Sequence, residues 1–494
     1  MNQTILTIRM KEQFSLFSIT TILYALFYTF CLYKNASGIT YPFFVAGTLC
    51  YFFFSMKRLG VPCKKDSLFY VISIVLLGIS NCCTDSPQLL WMNKTGIFLL
   101  SFILILHTVY QDTNWNLPKY IGAIFHTTGS AFVCLVCPLM DLTSFFDAQK
   151  LKKQEKNNTF YYILIGIALS IPLLLLITLL LCSADVVFQN LVKRLFSFDI
   201  PFRDIFKVGF SVVVVFFFSY ALLSALCKKT VEESVTDKRT SEPIIGIVIT
   251  GMLSVLYLVF SMIQILYLFI GNLKLPEGYT YSSYARQGFF QLLAVCLINL
   301  ILVLFFISRF KDNKILKMIL TVISGCTFIM ILSSALRMFM YIARYNLTFL
   351  RIFVLWALVV IFLLMLGVTI YIHYQKFPLF FYSVAITTVF YIGLSFSHPD
   401  YWIAKYNLTP SHISYLDEYD IYDSQRYLTR LSLDAAPVLL DKEENRFLWN
   451  KSWNEIKEEG WIYSYYQKVN TKAEQMHIRN FNFSVFFAKR SAGL

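Results

Sequence analysis

Charged residues are scarce in this chain of 494 residues. Asp, Glu, Lys and Arg make up 15% of the sequence, whereas an ordinary soluble domain contains roughly 25%. Hydrophobic residues account for 57% and aromatic residues for 17%. A surface exposed to water needs more charge, so the composition excludes a soluble globular protein. The aromatic content is typical of helices that face lipid and carry rings at both membrane interfaces.

Acidic residues are fewer than basic ones, and the formal net charge is +14. In a soluble protein such an excess would suggest nucleic-acid binding. Here Lys and Arg occur in short clusters between apolar runs, without an extended basic face. That distribution is typical of residues that set membrane topology. We therefore expect the lipid bilayer as partner and no nucleic acid, while the sequence identifies no protein partner.

Cysteine is absent after Cys326, and most of the 11 Cys lie in or beside apolar runs, where Cys behaves as a small hydrophobe. Cys134 and Cys137 have only His126 nearby, too few ligands for a structural metal site. The motifs HExxH, GxSxG, GxxxxGK[ST] and paired CxxC are also missing. We therefore expect no metal, no cofactor and no catalytic residue of these enzyme classes.

Long apolar runs dominate what is present. A run of about 20 apolar residues crosses a bilayer as a helix. The sequence therefore predicts an all-α polytopic membrane protein with about 11–12 transmembrane helices and a small C-terminal water-facing α-helical domain. The eleven clearest spans are Phe14–Tyr33, Ile39–Met56, Leu68–Cys83, Leu89–Tyr110, Phe160–Cys182, Phe206–Cys227, Ile244–Gly271, Phe289–Phe310, Ile315–Tyr341, Phe349–Tyr374 and Leu379–Phe396.

A twelfth apolar run, Tyr120–Leu139, contains His126 and several hydroxyl residues and is bounded by prolines. The basic clusters at residues 57–65 and 150–156 both suit the cytoplasm, so an even number of crossings must separate them. Two clear spans already lie between these clusters. We therefore expect residues 120–139 to lie at the interface or to re-enter the membrane.

The same charge bias predicts sidedness and domain organisation. The basic residues favour a multi-pass protein of the cell membrane with a cytoplasmic N-terminus. Residues 1–397 then form the transmembrane helical domain, and residues 398–494 form a soluble domain outside the cytoplasm. This tail carries 12 Lys and Arg against 13 Asp and Glu. Its segments Leu416–Asp441 and Asn445–Phe487 have helical patterns.

Arginines form the densest polar feature of the later spans. Arg337, Arg344 and Arg351 recur every seven residues, and Arg286 lies at the start of an earlier span. An unbroken helix would place the first three on one face, whereas a break near Asn346 would move Arg351 to the next helix. Charges near membrane depth need partners. One hypothesis is therefore a site that binds an anionic lipid or solute.

The alternative is that these arginines pair with acidic residues of the protein. Glu277 and the acidic run at residues 417–423 would supply carboxylates and would dock the tail onto the helices. Arg side chains that extend to the interface would account for a further share without any site. The sequence leaves both interpretations open.

Several ordered motifs are characteristic of a known family. They are Tyr284-Ala-Arg-Gln-Gly-Phe-Phe-Gln291 with Asn299, Ala335-Leu-Arg-Met338 with Asn346-Leu-Thr348, Pro399-Asp400 with Tyr406-Asn407, and Asp434-Ala-Ala-Pro437. On these residues the chain resembles the uncharacterised bacterial membrane proteins of the domain-of-unknown-function 4153/4173 group, from about Pro243 to Arg490 and more loosely upstream. The resemblance implies a many-helix envelope protein with a C-terminal segment and supplies no activity. At Asn346 the group tends to have Gly, and both residues accept positive φ.

Three functions are compatible with these features. The first is a non-enzymatic envelope sensor or scaffold, supported by the folded tail and the missing catalytic motifs. The second is a transporter or flippase for an anionic solute or lipid, supported by the arginines. The third is an enzyme on a lipid-linked substrate, for which Asp400 and Asp434 are the candidate acids, with Asp434 better explained as a helix cap or ion pair.

Overall fold

The structure is a computed structural model of the chain. It describes residues 4–35, 37–152, 202–234, 239–266, 281–409, 424–441 and 461–494, together with isolated positions between 170 and 188. The chain divides into two compact units. The first comprises Met1–Gly78, Phe98–Thr113 and Pro118–Glu233, and the second comprises Ile79–Ile97, Asn114–Leu117 and Ser234–Leu494.

Helices account for the regular secondary structure of the described residues. In chain order they are α1 Ile5–Glu12, α2 Phe14–Leu32, α3 Thr40–Leu59, α4 Ser67–Cys83, α5 Pro87–Val109, α6 Leu117–Val133, α7 Cys137–Lys152, α8 Phe202–Cys227, α9 Pro243–Gln264, α10 Tyr281–Arg309, α11 Lys314–Arg344, α12 Phe349–His373, α13 Leu379–Phe396, α14 Pro399–Asn407, α15 Ala436–Leu439, α16 Trp461–Glu474 and α17 Phe483–Ser491. Short 3₁₀ turns occupy Cys134–Val136 and Leu433–Ala435.

The predicted all-α polytopic membrane fold is confirmed. Within the described residues, nine helical runs are long and apolar enough to cross a membrane. Eight of them coincide with predicted spans, and the ninth is Leu117–Phe146. Of the remaining predictions, Ser67–Cys83 is a shorter apolar helix, and residues 40–59 form the 20-residue helix α3. The predicted span at residues 160–182 lies largely outside the described residues.

The ninth run bears on the segment expected at the interface. Residues 117–146 form a helical run of 30 residues, α6 and α7 joined by a 3₁₀ turn. A helix rises 1.5 Å per residue, so this run has the length to span a bilayer. The length of this run therefore does not favour an interfacial position over a crossing of the membrane. The interfacial position stays a prediction from the charge bias.

The first unit illustrates how its helices end. α3 stops at Gly60, whose φ of 80° closes the last turn. This left-handed conformation suits glycine because it has no Cβ. The Nη1 of Arg9 donates a hydrogen bond of 2.8 Å to the carbonyl oxygen of Leu59. A free carbonyl at the helix end is thereby satisfied by a cation, which also matches the helix dipole.

The second unit has its main apolar core between α10, α11 and α12. Cys296, Met330 and Leu358 are buried in one part of this core, and Val303, Leu320 and Met365 are buried in another part nearer the opposite ends of the helices. α11 begins at the cap Asn313, whose side-chain oxygen accepts hydrogen bonds from two backbone N–H groups. This core contains side chains from all three helices and therefore holds them together mainly by apolar packing.

The tail is part of the second unit. Its apolar core combines residues of α14, the 424–441 segment, α16 and α17, including Ile403, Leu433 and Val469. Partly buried Leu347 and Phe349, from the turn between α11 and α12, pack against the same core. Helices α15 and α16 fall within the segments predicted to be helical, and α17 begins inside the second segment but continues four residues beyond its predicted end at Phe487. Residues 410–423 and 442–460 lie outside the described residues.

Candidate functional site

A buried carboxylate brings together four separate stretches of the second unit. Asp434 Oδ2 accepts a hydrogen bond from Thr84 Oγ1 at 2.5 Å, and Asp434 Oδ1 accepts one from the backbone N–H of Asp85 at 2.9 Å. Ser484 also donates to Oδ1, and His398 Nδ1 lies 3.4 Å from Oδ2. We call these five residues the Asp434 cluster. It joins the loop between α4 and α5 to the junction of α13 with α14 and to both described parts of the distal tail.

The electrostatics of Asp434 depend on these donors. Burial alone would raise the pKa of Asp434, but hydrogen bonds from His398, Ser484, Thr84 and the Asp85 N–H together lower it below its ordinary value of 3.8. The side chain has no exposed surface. A buried ionised carboxylate is stable only when its oxygens are fully hydrogen-bonded. Asp434 therefore remains charged and holds its partners in place.

His398 contributes both charge and backbone geometry. Its φ is +47°, a left-handed conformation that is uncommon for residues other than glycine. This conformation lets the chain turn between α13 and α14, and it places the imidazole beside Asp434. The hydrogen bond to Asp434 raises the pKa of His398 above its ordinary value of 6.5, although burial opposes the shift.

Asp85 forms a second contact between the loop and the tail. Both of its carboxylate oxygens accept hydrogen bonds from Lys472 Nζ, at 2.6 and 2.7 Å. The backbone N–H of Leu433 also points to this carboxylate, at 3.3 Å. In addition, Asn482 Nδ2 donates to the carbonyl oxygen of Thr84 at 3.0 Å. Residues 84 and 85 are therefore held by both α16 and the start of α17.

Asp400 lies on the tail side of the same region. Its Oδ2 accepts a hydrogen bond of 3.1 Å from the backbone N–H of Ser432. The carbonyl oxygen of Ser432 in turn accepts the hydroxyl proton of Tyr465 at 2.7 Å. Burial raises the pKa of Asp400, and the hydrogen bonds to Ser432 limit the increase. Asp400 thus orients the segment that carries Asp434.

A group of polar side chains between α4, α5 and α13 lies next to the loop at residues 84–86. Asn93 Oδ1, on α5, accepts hydrogen bonds from Tyr391 at 2.6 Å and from Ser395 at 2.7 Å, both on α13. Ser395 also forms a 2.6 Å hydrogen bond with Ser80 of α4. Hydrogen bonds between helices are effective in an apolar environment. The ends of α4, α5 and α13 are therefore fixed beside the Asp434 cluster.

The arginines of the predicted anion site are partly described. α11 ends at Arg344 and α12 begins at Phe349, so the predicted break occurs and Arg351 lies on the next helix. Its guanidinium carbon lies 4.1 Å from the ring centre of Tyr341. Arg337 is buried, and its Nη2 donates to Gln264 Oε1 at 3.2 Å. The side chains of Arg286 and Arg344 lie outside the described residues, so their part in the site stays a prediction.

The other motif residues have structural contacts. Asn407 is hydrogen-bonded to both the N–H and the carbonyl oxygen of Leu347, at 2.7 and 2.9 Å, and so fixes the turn beside Asn346. Asn299 Nδ2 donates to Thr327 at 2.9 Å between α10 and α11. Pro437 occupies the first turn of α15, where its missing N–H is not needed. Gln291 is exposed, and the side chain of Tyr284 lies outside the described residues.

The first unit contains a polar cluster that the sequence did not reveal. Asp112 accepts hydrogen bonds from His107 at 2.7 Å and from Tyr120, and Lys64 Nζ lies 3.3 Å from it. Burial alone would raise the pKa of Asp112, but the bonds from His107 and Tyr120 bring it down to about 2. These residues are up to 56 positions apart (from 64 to 120). Sequence spacing therefore gave no signal.

Metal binding has little support in the part of the chain that the structure describes. No three side chains of the types His, Cys, Asp and Glu converge there in a manner that would hold an ion. The carboxylates of the second unit instead contact Lys, His, hydroxyl and backbone N–H groups. The region is therefore equipped to hold chain segments together.

Comparison with known proteins gives one match. Residues 71–441 match the family described as Domain of unknown function (DUF4153). The matched range includes the loop at residues 84–86 and Asp434. It covers the region of looser resemblance upstream of Pro243, and it ends at residue 441, before the expected end near Arg490. No curated protein and no solved structure matches the chain. Since the match covers well over half of the sequence, this multi-pass membrane protein belongs to the family described as Domain of unknown function (DUF4153).

Proposed function

We propose that this protein is a non-enzymatic envelope sensor or scaffold of the cell membrane. Its C-terminal segment reads a signal or partner, and the Asp434 cluster connects that segment to the membrane helices. The observation that carries the proposal is the fully buried Asp434 carboxylate, which accepts hydrogen bonds from the α4–α5 loop, and from the tail near α17, at the same time. Any movement of the tail would alter this one polar cluster.

The burial and the ion pairs of the carboxylates favour a structural role, in which they join chain segments, over a catalytic role. A general acid or base must reach the substrate proton, but Asp434 has no exposed surface and Asp400 is also buried. Asp85 is paired with Lys472. Asp400 and Asp434 are the candidate acids that the sequence offers for an enzyme acting on a lipid-linked substrate. Their contacts favour the binding of chain segments to one another.

The loop–tail contacts also support an extracytoplasmic tail. Residues 84–86 and the tail must lie on one side of the membrane, so an even number of crossings separates them. Eight candidate runs lie between residues 87 and 396 in the described parts, and the predicted span at 160–182 would make nine. One run must therefore not cross. The basic residues at 150–156 favour Leu117–Phe146 as that run, because its crossing would move them outside.

The first test removes one hydrogen-bond acceptor of the Asp434 cluster and measures how firmly the tail remains bound. Asp434→Asn places an amide against several donors, so at least one hydrogen bond is lost and one N–H is left without an acceptor. We expect protease to cleave the tail about tenfold faster in right-side-out vesicles, because each lost buried bond costs about 1 kcal/mol or more. Glu474→Gln, on the exposed face of α16, is the matched control and should behave as wild type.

Complementation completes this test. In cells that lack the gene, we expect Asp434→Asn to leave the deletion phenotype uncorrected at normal protein levels, whereas Glu474→Gln restores the wild-type phenotype. Full complementation by a variant whose tail is released would contradict the sensor proposal. Reconstituted wild-type protein that moves an anionic solute or lipid across a vesicle membrane would favour transport instead.

A transporter or flippase for an anionic substrate is the second candidate. The observation that favours it is Arg351, whose Nη1 is buried without a hydrogen-bond partner among the described residues. A guanidinium with unused donors suits a phosphate or carboxylate. The Tyr341 ring centre lies 4.1 Å from the guanidinium carbon, so a ligand would share this site with an aromatic ring.

A further inference from the structure

The last helix of the tail has an inverted distribution of side chains. In α17, the face buried against the tail carries small or short side chains, namely Ser484, Val485 and Ala488. The exposed face carries the large ones, namely Phe483, Phe486 and Phe487, followed by Arg490. Phe487 alone is 51% exposed. A helix that faced water on this side would carry polar residues at these positions. The exposed face therefore requires an apolar environment.

The position of this helix in the unit identifies that environment. Its cap residue Asn482 donates to the carbonyl oxygen of Thr84, and Ser484 donates to Asp434. Thr84 is the first residue after α4, and α5 begins three residues later at Pro87. The start of α17 therefore lies at the level where two apolar helices end, which is the level of the lipid headgroups.

Basic residues accompany the exposed rings. Lys489 and Arg490 form the last turn of α17, and Arg479 precedes the helix by four residues. Ile478, beside Arg479, is 93% exposed. Aromatic and aliphatic side chains flanked by Lys and Arg are the composition of helices that lie in the membrane interface and contact anionic lipids.

A second element of the unit has the same character. α14 starts directly after α13, at Pro399, so it also lies where a membrane helix ends. Its Trp402 is 53% exposed, and Lys405 Nζ lies 5.8 Å from the centre of that ring. Trp and Tyr are enriched at this depth in membrane proteins because their rings are amphipathic. Two independent elements of the tail thus carry interfacial residues.

We propose that the exposed face of α17 lies in the headgroup region of the leaflet on its own side of the membrane, with Phe483, Phe486 and Phe487 inserted and Lys489 and Arg490 bound to anionic phospholipid. The tail is then held at two surfaces, by the Asp434 cluster and by lipid. This inference does not depend on the proposed sensing role, since a transporter or an enzyme would use the same contact.

Photocrosslinking of the full-length protein in nanodiscs tests the proposal. The photoreactive amino acid p-benzoylphenylalanine replaces Phe487, and in a matched control it replaces Gln467 on the exposed polar face of α16. We expect a phospholipid adduct by mass spectrometry at the first position and none at the second. In discs that contain phosphatidylglycerol, reversal of both charges, Lys489→Glu with Arg490→Glu, should lower the adduct yield about fivefold or more.

Each alternative outcome would overturn the proposal. An adduct between two chains at position 487 would assign the face to a second copy of the protein. Equal lipid adducts at positions 467 and 487 would show that the face has no special relation to the bilayer. A yield that is unchanged by charge reversal in phosphatidylglycerol discs would remove the anionic phospholipid from the proposal.

Discussion

Arg351 places a positive charge beside the aromatic ring of Tyr341. The guanidinium stacks on Tyr341 at 4.1 Å, while the nearby turn is held by Asn407. A cation placed over an aromatic ring gains about 0.5–2 kcal/mol, and Arg351 Nη1 is buried without a hydrogen-bond partner among the described residues. The residue is therefore arranged both to stabilise the helix junction and to accept a ligand.

Replacement of Arg351 separates these two roles. If the site binds an anion, inorganic phosphate or short-chain phosphatidylglycerol should raise the melting temperature of the purified protein by mass action. We expect Arg351→Gln to abolish this increase and Arg351→Lys to retain part of it, because Lys keeps the charge without the planar donor set. Thermal unfolding in detergent measures both effects.

The matched control is Arg309→Gln, at the exposed end of α10. It should keep the full ligand-dependent increase. If Arg351→Gln lowers the melting temperature but keeps that increase, Arg351 is only a structural residue and the anion site has no support from it.

Individual residues of the Asp434 cluster differ in how well the sequence alone identifies them. The sequence offers Asp400 and Asp434 as the candidate acids of an enzyme on a lipid-linked substrate. Asp85 and His398 were not named, because their importance comes from contacts across 348 and 36 positions. Hydrogen bonds at such separations follow from the packing of helices. A single sequence therefore identifies candidate acids without their partners.

At the scale of elements, the junction of α13 and α14 has a built-in dependence on pH. His398 faces the Asp434 carboxylate and the Cys83 thiol. Its pKa is raised above 6.5 by the bond to Asp434, so its stabilising contribution is fully present below about pH 6.5 and is lost as the pH rises through the raised pKa. The pKa of Asp434 is lowered, so its own contribution is present above about pH 3.8 and is lost as the pH falls through the lowered pKa.

We therefore expect the tail to be held more tightly at about pH 6 than at about pH 8.5. Protease cleavage of the tail at the two pH values, corrected for the activity of the protease, measures the difference. His398→Asn should remove it, since Asn tolerates the positive φ without titrating. His477→Gln, an exposed tail residue, should leave it unchanged. A pH dependence that persists in His398→Asn would assign the effect to another group.

Helices also differ in how far the sequence alone predicts their ends and their orientation. The break between α11 and α12 is one of the two alternatives that the sequence leaves open, and it occurs. The left-handed backbone expected at Asn346 does not occur there, so the reason given for the break is wrong. α12 was predictable from its uninterrupted apolar run. The sequence predicts a helical pattern only for the first part of α17, and it does not state which face is buried. The core of the tail accepts only the short side chains of Ser484, Val485 and Ala488. Packing against neighbours therefore decides the orientation.

At the scale of the whole molecule, membrane topology follows from contacts within the second unit combined with charge bias. The loop at residues 84–86 and the tail share one side. The predicted span α4, a helix of 17 residues, would separate that side from the basic segment that contains Lys57, Arg58 and the exposed Cys63. Since basic loops favour the cytoplasm, Cys63 should be cytoplasmic and the tail should lie outside.

Labelling with a membrane-impermeant maleimide tests this topology in intact cells. In a chain whose other cysteines are replaced, we expect Ile478→Cys, at the most exposed tail position, to react at once and Cys63 to react only after permeabilisation.

Asn157→Cys tests whether the run Leu117–Phe146 crosses the membrane. If that run does not cross, Asn157→Cys reacts together with Cys63, because an even number of crossings separates them. If it reacts in intact cells, Leu117–Phe146 crosses and the predicted span at 160–182 does not. Reaction of Ile478→Cys and Cys63 on the same side would contradict the whole topology, because a single crossing separates Cys63 from the loop that the tail contacts.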